Sequence, residues 1–183
     1  KDTIIYLSDQ VDFKDLELAL CGGMAVQDIV AHKWKELTGC VLLEAYGLSE
    51  TSPAATINPW NGQHKIGSIG LPLPNTYIKI LDDDMKEVET GSPGEIAIKG
   101  PQVMKGYWQR PEETSKSMHG EYFLTGDVGT MDEKGFFKIV DRKKEMILVS
   151  GFNVYPNDVE KAISENSKVL EVGVRGEKKD DGS

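Results

Sequence analysis

The sequence predicts an α/β sheet edge, then a β-barrel-like subdomain, then the start of a separate α+β unit. Three observations carry this. The first 46 residues hold a strand, a Gly-Gly turn, a helix and another strand. From Gly67 the texture changes to short alternating segments separated by Gly-rich turns, and after Lys144 a strand-to-helix pattern begins afresh. The expected divisions are 1–66, 67–141 and 142–183.

In the first division, Thr3–Leu7 (TIIYL) and Leu16–Cys21 (LELALC) are expected as short buried strands, the second closing on Gly22-Gly23. Val26, Ile29, Val30, Ala31, Trp34 and Leu37 recur at helical spacing, and Gly39 supplies the stop. Residues 40–46 (CVLLEAY) form the next apolar strand. Strand, turn, helix and strand make a βαβ unit. Ligands of open α/β sheets gather beyond the carboxyl ends of the strands, which is where the loop YGLSETSP falls.

In the second division, YIKILD (77–82) and EIAIKG (95–100) alternate apolar and polar residues as half-buried strands do. Asp82, Asp83 and Asp84 lie in the turn between them, where adjacent acids are ordinarily solvated. PEETSKSM is a short helix with Pro111 at its start and two acids in its first turn. In the third division, EMILVSG is expected as a strand ending at Gly151, PNDVEKAISEN as a helix opened by Pro156, and residues 169–174 (VLEVGV) as the next strand.

Composition narrows the function. Hydrophobic content of 39% and charged content of 28% are those of a globular protein. A net charge of −9 excludes a general nucleic-acid binder, which needs clustered Lys and Arg. Cys21 and Cys40 are too few for a disulfide scaffold, and both sit in apolar runs, so buried reduced thiols and a cytoplasmic setting are expected. No run approaches the roughly 20 apolar residues of a membrane-spanning helix. The chain opens on Lys1 and closes on GEKKDDGS, so it is expected to be cut from a longer protein.

Two loops carry candidate chemistry. In AYGLSETSP, Gly47 permits close backbone approach, Ser49 and Thr51 offer hydroxyls to phosphate oxygens, and Glu50 is a hard-oxygen ligand suited to Mg2+. Tyr46 offers a ring to stack on a base; the plainer alternative is a capped Ser/Thr turn. In YFLTGDVG, Asp127 offers a carboxylate to two ribose hydroxyls, the alternative being an Asx turn. Arg142, at the end of FFKIVD, is placed to reach a ribose or a carboxylate. Lys144 sits at the expected boundary, where a solvated side chain is the plain alternative.

The order of these segments is more specific than any one of them. AYGLSETSP, GSIGLPLPN, GEIAIKGPQVMKGYW, TGDVG and DRKKEMILVSGFNVYPNDVE together resemble the adenylate-forming acyl-CoA synthetase superfamily, over essentially the whole chain. CGGMAVQ, AHKWKELTG and VSGFNVYPND make it most similar to bacterial long-chain fatty-acid–CoA ligases. The resemblance implies part of the adenylate-forming enzyme fold, with a C-terminal lid that begins near residue 142. It implies an enzyme that joins a fatty acid to AMP and passes the acyl group to coenzyme A, using ATP and Mg2+. By the same resemblance, Gly22, Gly23 and Met24 would line the acyl and adenine pocket and Tyr46 would stack on adenine beside Gly47. Ser49 would contact phosphate and Glu50 would hold Mg2+. Asp127 and Arg142 would grip the ribose, and Lys144 would be the hinge of the lid.

This chain departs from the family at Ser49, where Thr is usual, and at Tyr122, where Trp is usual. The family's phosphate loop would precede residue 1 and its adenylating lysine would follow residue 183, so the segment alone is expected to be inactive. A ligase for short-chain, aromatic or amino-acid carboxylates and a non-catalytic nucleotide-binding module are the alternatives. The resemblance also allows homodimer formation and peripheral attachment to the inner face of the cell membrane.

Overall fold

A computed structural model describes residues 11–24, 26, 28–166 and 168–177. The strand expected at 3–7 lies outside the described residues. Strand β1 (Ala19–Cys21) runs parallel to β2 (Leu42–Gly47), and helix α1 (Asp28–Thr38) connects them, as a βαβ unit requires. Gly39 stops α1 at a φ of 73°, a left-handed conformation that glycine adopts without a Cβ penalty, and its N–H bonds the Lys35 carbonyl at 2.9 Å. The Thr38 hydroxyl donates to the Trp34 carbonyl at 2.8 Å. The expected strand at 16–21 shrinks to its last three residues. Leu16 bonds back to Phe13 in a turn, and only Ala19–Cys21 find a ladder partner. Leu18 and Leu20 are also exposed rather than buried among the described residues.

Two further strands, β3 (Ala54–Ile57) and β4 (Leu71–Pro72), extend this sheet antiparallel in the order β1-β2-β3-β4. A second, antiparallel sheet holds β5 (Tyr77–Leu81) and β6 (Gly94–Lys99), then, past helix α2 (Pro111–Lys116), β7 (Met118–His119), the ten-residue β8 (Tyr122–Met131) and β9 (Phe137–Arg142). The long β8 is lined on one side by β6 and on the other first by β7 and then by β9. The acids of the β5–β6 turn are solvent-facing and paired. The Asp82 side chain accepts the Lys86 N–H at 2.9 Å, and Asp84 meets the Lys86 ammonium at 3.4 Å.

The core lies where the sheets meet. Ala55 of β3, Ile80 of β5, Ile96 and Ile98 of β6 and Phe137 of β9 form one buried cluster. Each isoleucine so buried stabilises by about 1.5–3 kcal/mol. Backbone bonds between the sheets fix their contact: the Ile69 N–H bonds the Phe137 carbonyl at 2.9 Å and the Phe137 N–H bonds the Gly70 carbonyl at 3.0 Å.

Beyond β9 come a hairpin, β10 (Ile147–Val149) with β11 (Phe152–Val154), and helix α3 (Pro156–Ser164). The hairpin turns through Ser150 (φ 51°) and Gly151 (φ 85°), two consecutive left-handed residues as a primed turn demands. Pro156 opens α3, where its missing N–H costs nothing. The strand expected at 169–174 does not form. The N–H groups of Val169 and Val174 bond the Asn166 carbonyl and the Glu160 side chain, and no neighbouring strand offers a ladder among the described residues.

Candidate functional site

The first half of the site grows from the end of β2. Gly47 is required there, since a Cβ would overlap the Pro53 carbonyl oxygen. A single 3-10 turn, Ser49–Thr51, follows. Fully buried Thr51 organises it: its hydroxyl accepts the Leu48 N–H at 2.9 Å and donates to the Pro53 carbonyl at 2.7 Å. The plain expectation of a capped turn is thus met by Thr51, which leaves Ser49 exposed and Glu50 half-buried. The Glu50 carboxylate accepts the Tyr107 hydroxyl at 2.8 Å, and its carbonyl accepts the Met104 N–H at 2.8 Å.

The second half grows from an irregularity in β8. Between the pairs Ala97↔Leu124 and Glu95↔Val128 the register shifts, so Thr125, Gly126 and Asp127 share one step of β6. Such bulges re-aim side chains, and Gly126 at φ 73° supplies the backbone conformation this one needs. Glu95 pins the bulge, its carboxylate accepting the Gly126 N–H at 3.0 Å and the Lys143 ammonium at 3.0 Å. Lys143 closes the arrangement with an N–H to the Gly126 carbonyl at 2.8 Å. Its ammonium is half-buried, which disfavours charge, but bonds to Asp83 and Glu95 outweigh this and raise its pKa.

Asp127 is therefore presented to both halves. It is 6% exposed, its Oδ2 accepts the Tyr46 hydroxyl at 2.6 Å, and its Oδ1 lies 3.4 Å from Nε of Arg142. Arg142 is its direct partner across β8 and β9. Burial, and after it the adjacent Asp127 charge, push the Tyr46 phenol well above its ordinary value of 10.0. The phenol thus stays a donor and the carboxylate keeps a fixed partner.

The expected site residues separate into groups. Tyr46, Asp127 and Arg142 touch one another, and Gly47, Ser49 and Glu50 follow directly along the chain. Gly22, Gly23 and Met24 follow β1 beside the end of β2, all exposed, and a Cβ on Gly22 would approach the Ala45 carbonyl to 3.0 Å. Lys144 is exposed, with Glu145 the nearest opposite charge at 4.0 Å. Of the two thiols, Cys40 is buried as expected, while Cys21 is only half-buried because β1 is a sheet edge among the described residues.

Four residues of the site carry no signal of their own in the sequence. Glu95 lies in an alternating strand, and only the register places it under the bulge. Asp141 is 2% exposed; its two oxygens accept the Arg142 N–H at 2.7 Å and the Asn157 N–H at 3.0 Å, tying β9 to the first turn of α3. Glu44, buried beneath the loop, holds the Gly67 N–H at 2.9 Å and the Val26 N–H at 3.4 Å. Burial raises its pKa, and these two bonds oppose the shift. Tyr107 is the fourth.

A carboxylate backed by a guanidinium, a phenol ring on its edge and an outward-facing hydroxyl–carboxylate loop form a polar site between two sheets. The chain belongs to the AMP-binding enzyme family, whose description matches residues 3–108. It is 55% identical over 166 residues to a long-chain-fatty-acid–CoA ligase of Yersinia pestis and 44% identical over 166 residues to one of Bacillus subtilis. These alignments cover 91% and 90% of this chain, which spans 30% of the length of each relative. Among solved structures it is similar to ATP-bound MatB from Rhodopseudomonas palustris, with a TM-score of 0.86 and 31% identity over 98% of this chain and 40% of that one. It is equally similar to o-succinylbenzoate CoA synthetase (MenE) from Bacillus subtilis in complex with the acyl-adenylate OSB-AMP, with a TM-score of 0.86 and 30% identity over 98% of this chain and 37% of that one. The α/β edge with its barrel-like antiparallel sheet is thus part of the adenylate-forming enzyme fold. Among the described residues, no helix is long and apolar enough to cross a membrane.

Proposed function

We propose that the protein carrying this segment activates a long-chain fatty acid with ATP, forming acyl-AMP and pyrophosphate, and transfers the acyl group to coenzyme A. The observation that supports this most is the 55% identity to a long-chain-fatty-acid–CoA ligase across nearly the whole segment. A carboxylate oxygen is a poor leaving group, whereas AMP leaves readily.

In this reading Asp127 binds the 2′- and 3′-hydroxyls of the ribose, each charged hydrogen bond contributing roughly 1.5–3 kcal/mol. Arg142 holds the Asp127 carboxylate in place, and Tyr46 sets its orientation while presenting its ring to the adenine. Gly22, Gly23 and Met24 line the acyl and adenine side, Gly47 lets the loop approach, and Ser49 offers its hydroxyl to phosphate. Glu50 suits Mg2+ by its chemistry: one hard carboxylate beside nucleotide phosphates is the usual protein contribution to that ion. No group of three or more His, Cys, Asp or Glu side chains forms an all-protein metal cage among the described residues. Mg2+ supplies charge neutralisation on the phosphates when bound.

Residues 1–66 belong to the large domain in this proposal, 67–141 to the β-barrel-like subdomain, and 142–183 to the hinge and lid. Lys144 is the hinge, and the segment by itself is inactive. A second reading, a ligase for a smaller or aromatic acid, is favoured by 43% identity over 139 residues to a 2-succinylbenzoate–CoA ligase of Geobacillus kaustophilus. ATP–pyrophosphate exchange by the full-length protein with acids of graded length separates the two. Exchange with long-chain acids supports the first reading, and exchange only with short or aromatic acids establishes the second.

A further inference from the structure

The geometry points to Tyr107 as a positioning residue for the Glu50 carboxylate, an inference that rests on the proposed metal role of Glu50. Glu50 is grasped at two points by one loop. Its carbonyl accepts the Met104 N–H at 2.8 Å and its Oε1 accepts the Tyr107 hydroxyl at 2.8 Å. The loop is itself anchored, since the Tyr107 N–H bonds the Thr114 hydroxyl oxygen at 2.9 Å and that hydroxyl donates to the Arg110 carbonyl at 2.9 Å. Gly106 allows this approach: its φ is 149°, and a Cβ there would come within 2.7 Å of the Thr114 methyl. A relay therefore runs from helix α2 through Thr114 and Tyr107 to Glu50.

The chemical consequence follows from the acceptor count of a carboxylate. The Tyr107 hydroxyl occupies one oxygen of Glu50 and leaves Oε2 to a cation. A free glutamate on a loop samples many rotamers, whereas one oxygen fixed by a phenol sets the direction of the other. Carboxylates that bind metals are commonly held in this way by outer hydrogen bonds, and losing such a bond lowers metal affinity about 10- to 100-fold. The Tyr107–Glu50 bond is solvent-exposed, so about tenfold, the low end of that range, is expected.

The test uses the full-length protein and Mn2+ as the probe, titrated by electron paramagnetic resonance in the presence of ATP without fatty acid. Tyr107→Phe is expected to weaken Mn2+ binding about tenfold and to raise the Mg2+ concentration needed for pyrophosphate exchange, with kcat at saturating Mg2+ retained. Glu50→Gln is expected to weaken Mn2+ binding at least as much. Unchanged Mn2+ affinity in Tyr107→Phe beside a weakened Glu50→Gln overturns the role of Tyr107 alone. Unchanged affinity in both removes Glu50 from the metal site and the inference with it. Thr114→Val keeps the phenol but frees its anchor. It is expected to fall between wild type and Tyr107→Phe, and it carries the test if Tyr107→Phe does not fold; wild-type affinity there overturns the relay.

Discussion

The hydroxyl of Tyr46 donates to Oδ2 of Asp127 across 2.6 Å, joining the last turn-ward residues of β2 to a bulge in β8. The two residues are 81 positions apart and lie in different sheets, so this one bond links both halves of the proposed nucleotide site.

Replacing Tyr46 by Phe keeps the ring and removes the donor. In the full-length protein, kcat/KM for ATP is expected to fall about tenfold, the worth of a hydrogen bond to a charged group. Tyr46→Ala is expected to lose more, because the ring goes too. Equal kinetics in Tyr46→Phe and wild type would confine Tyr46 to stacking.

The same phenol makes a pH prediction. Its folded-state pKa is raised above the ordinary 10.0, first by burial and then by Asp127. A raised folded value means that its contribution to stability is whole below about 10 and is lost as pH rises through the folded value. An alkaline absorbance titration of wild type minus Tyr46→Phe is expected to show a phenol that ionises later than free tyrosine. A difference curve centred near the free value refutes the buried bond.

Asp127→Ala is expected to weaken ATP use by a few kcal/mol, since in the proposed function two ribose hydroxyls bond the carboxylate that Arg142 also pairs. Folding is expected to survive, because bonds from Glu95 and Lys143 hold the bulge independently. Wild-type ATP kinetics in this variant would place the ribose elsewhere.

Asp141→Ala removes an acceptor from the partly buried Arg142 N–H and from the first turn of α3. A cost of about 1–2 kcal/mol is expected in chemical denaturation, since a partly buried donor loses its acceptor and a helix end its cap. Denaturation midpoints equal to wild type would show that water replaces the carboxylate.

Lys144→Pro tests the hinge. Adenylation, read by pyrophosphate exchange, is expected to persist while acyl-CoA formation stops, because a fixed φ blocks rotation between the two steps. Parallel loss of both half-reactions argues against a hinge at this position.

Local features of the chain were readable wherever the physics is local. Helical spacing gave α1 and Gly39 its end, alternation gave β5 and β6, and Pro156 gave the start of α3. The motif order YGLSE, TGD and DRKK was enough to identify the family. Where pattern alone was used without a partner, it misled: VLEVGV alternates like a strand but forms no ladder among the described residues, and LELALC pairs over half its length. A strand is a relation between two segments, and apolar alternation records only one of them.

The sequence by itself therefore determined the family, the positions of helices α1, α2 and α3 and the residue types available for binding. Only the tertiary structure decided how those types are oriented. The β8 bulge turns Asp127 toward Tyr46 and Arg142, buried Thr51 turns the Glu50 loop outward, and Glu95, Asp141 and Tyr107 become partners of residues 16 to 57 positions away. The reason is physical: side-chain chemistry is written residue by residue, but register, bulges and buried hydrogen bonds depend on which distant backbone groups come to lie side by side.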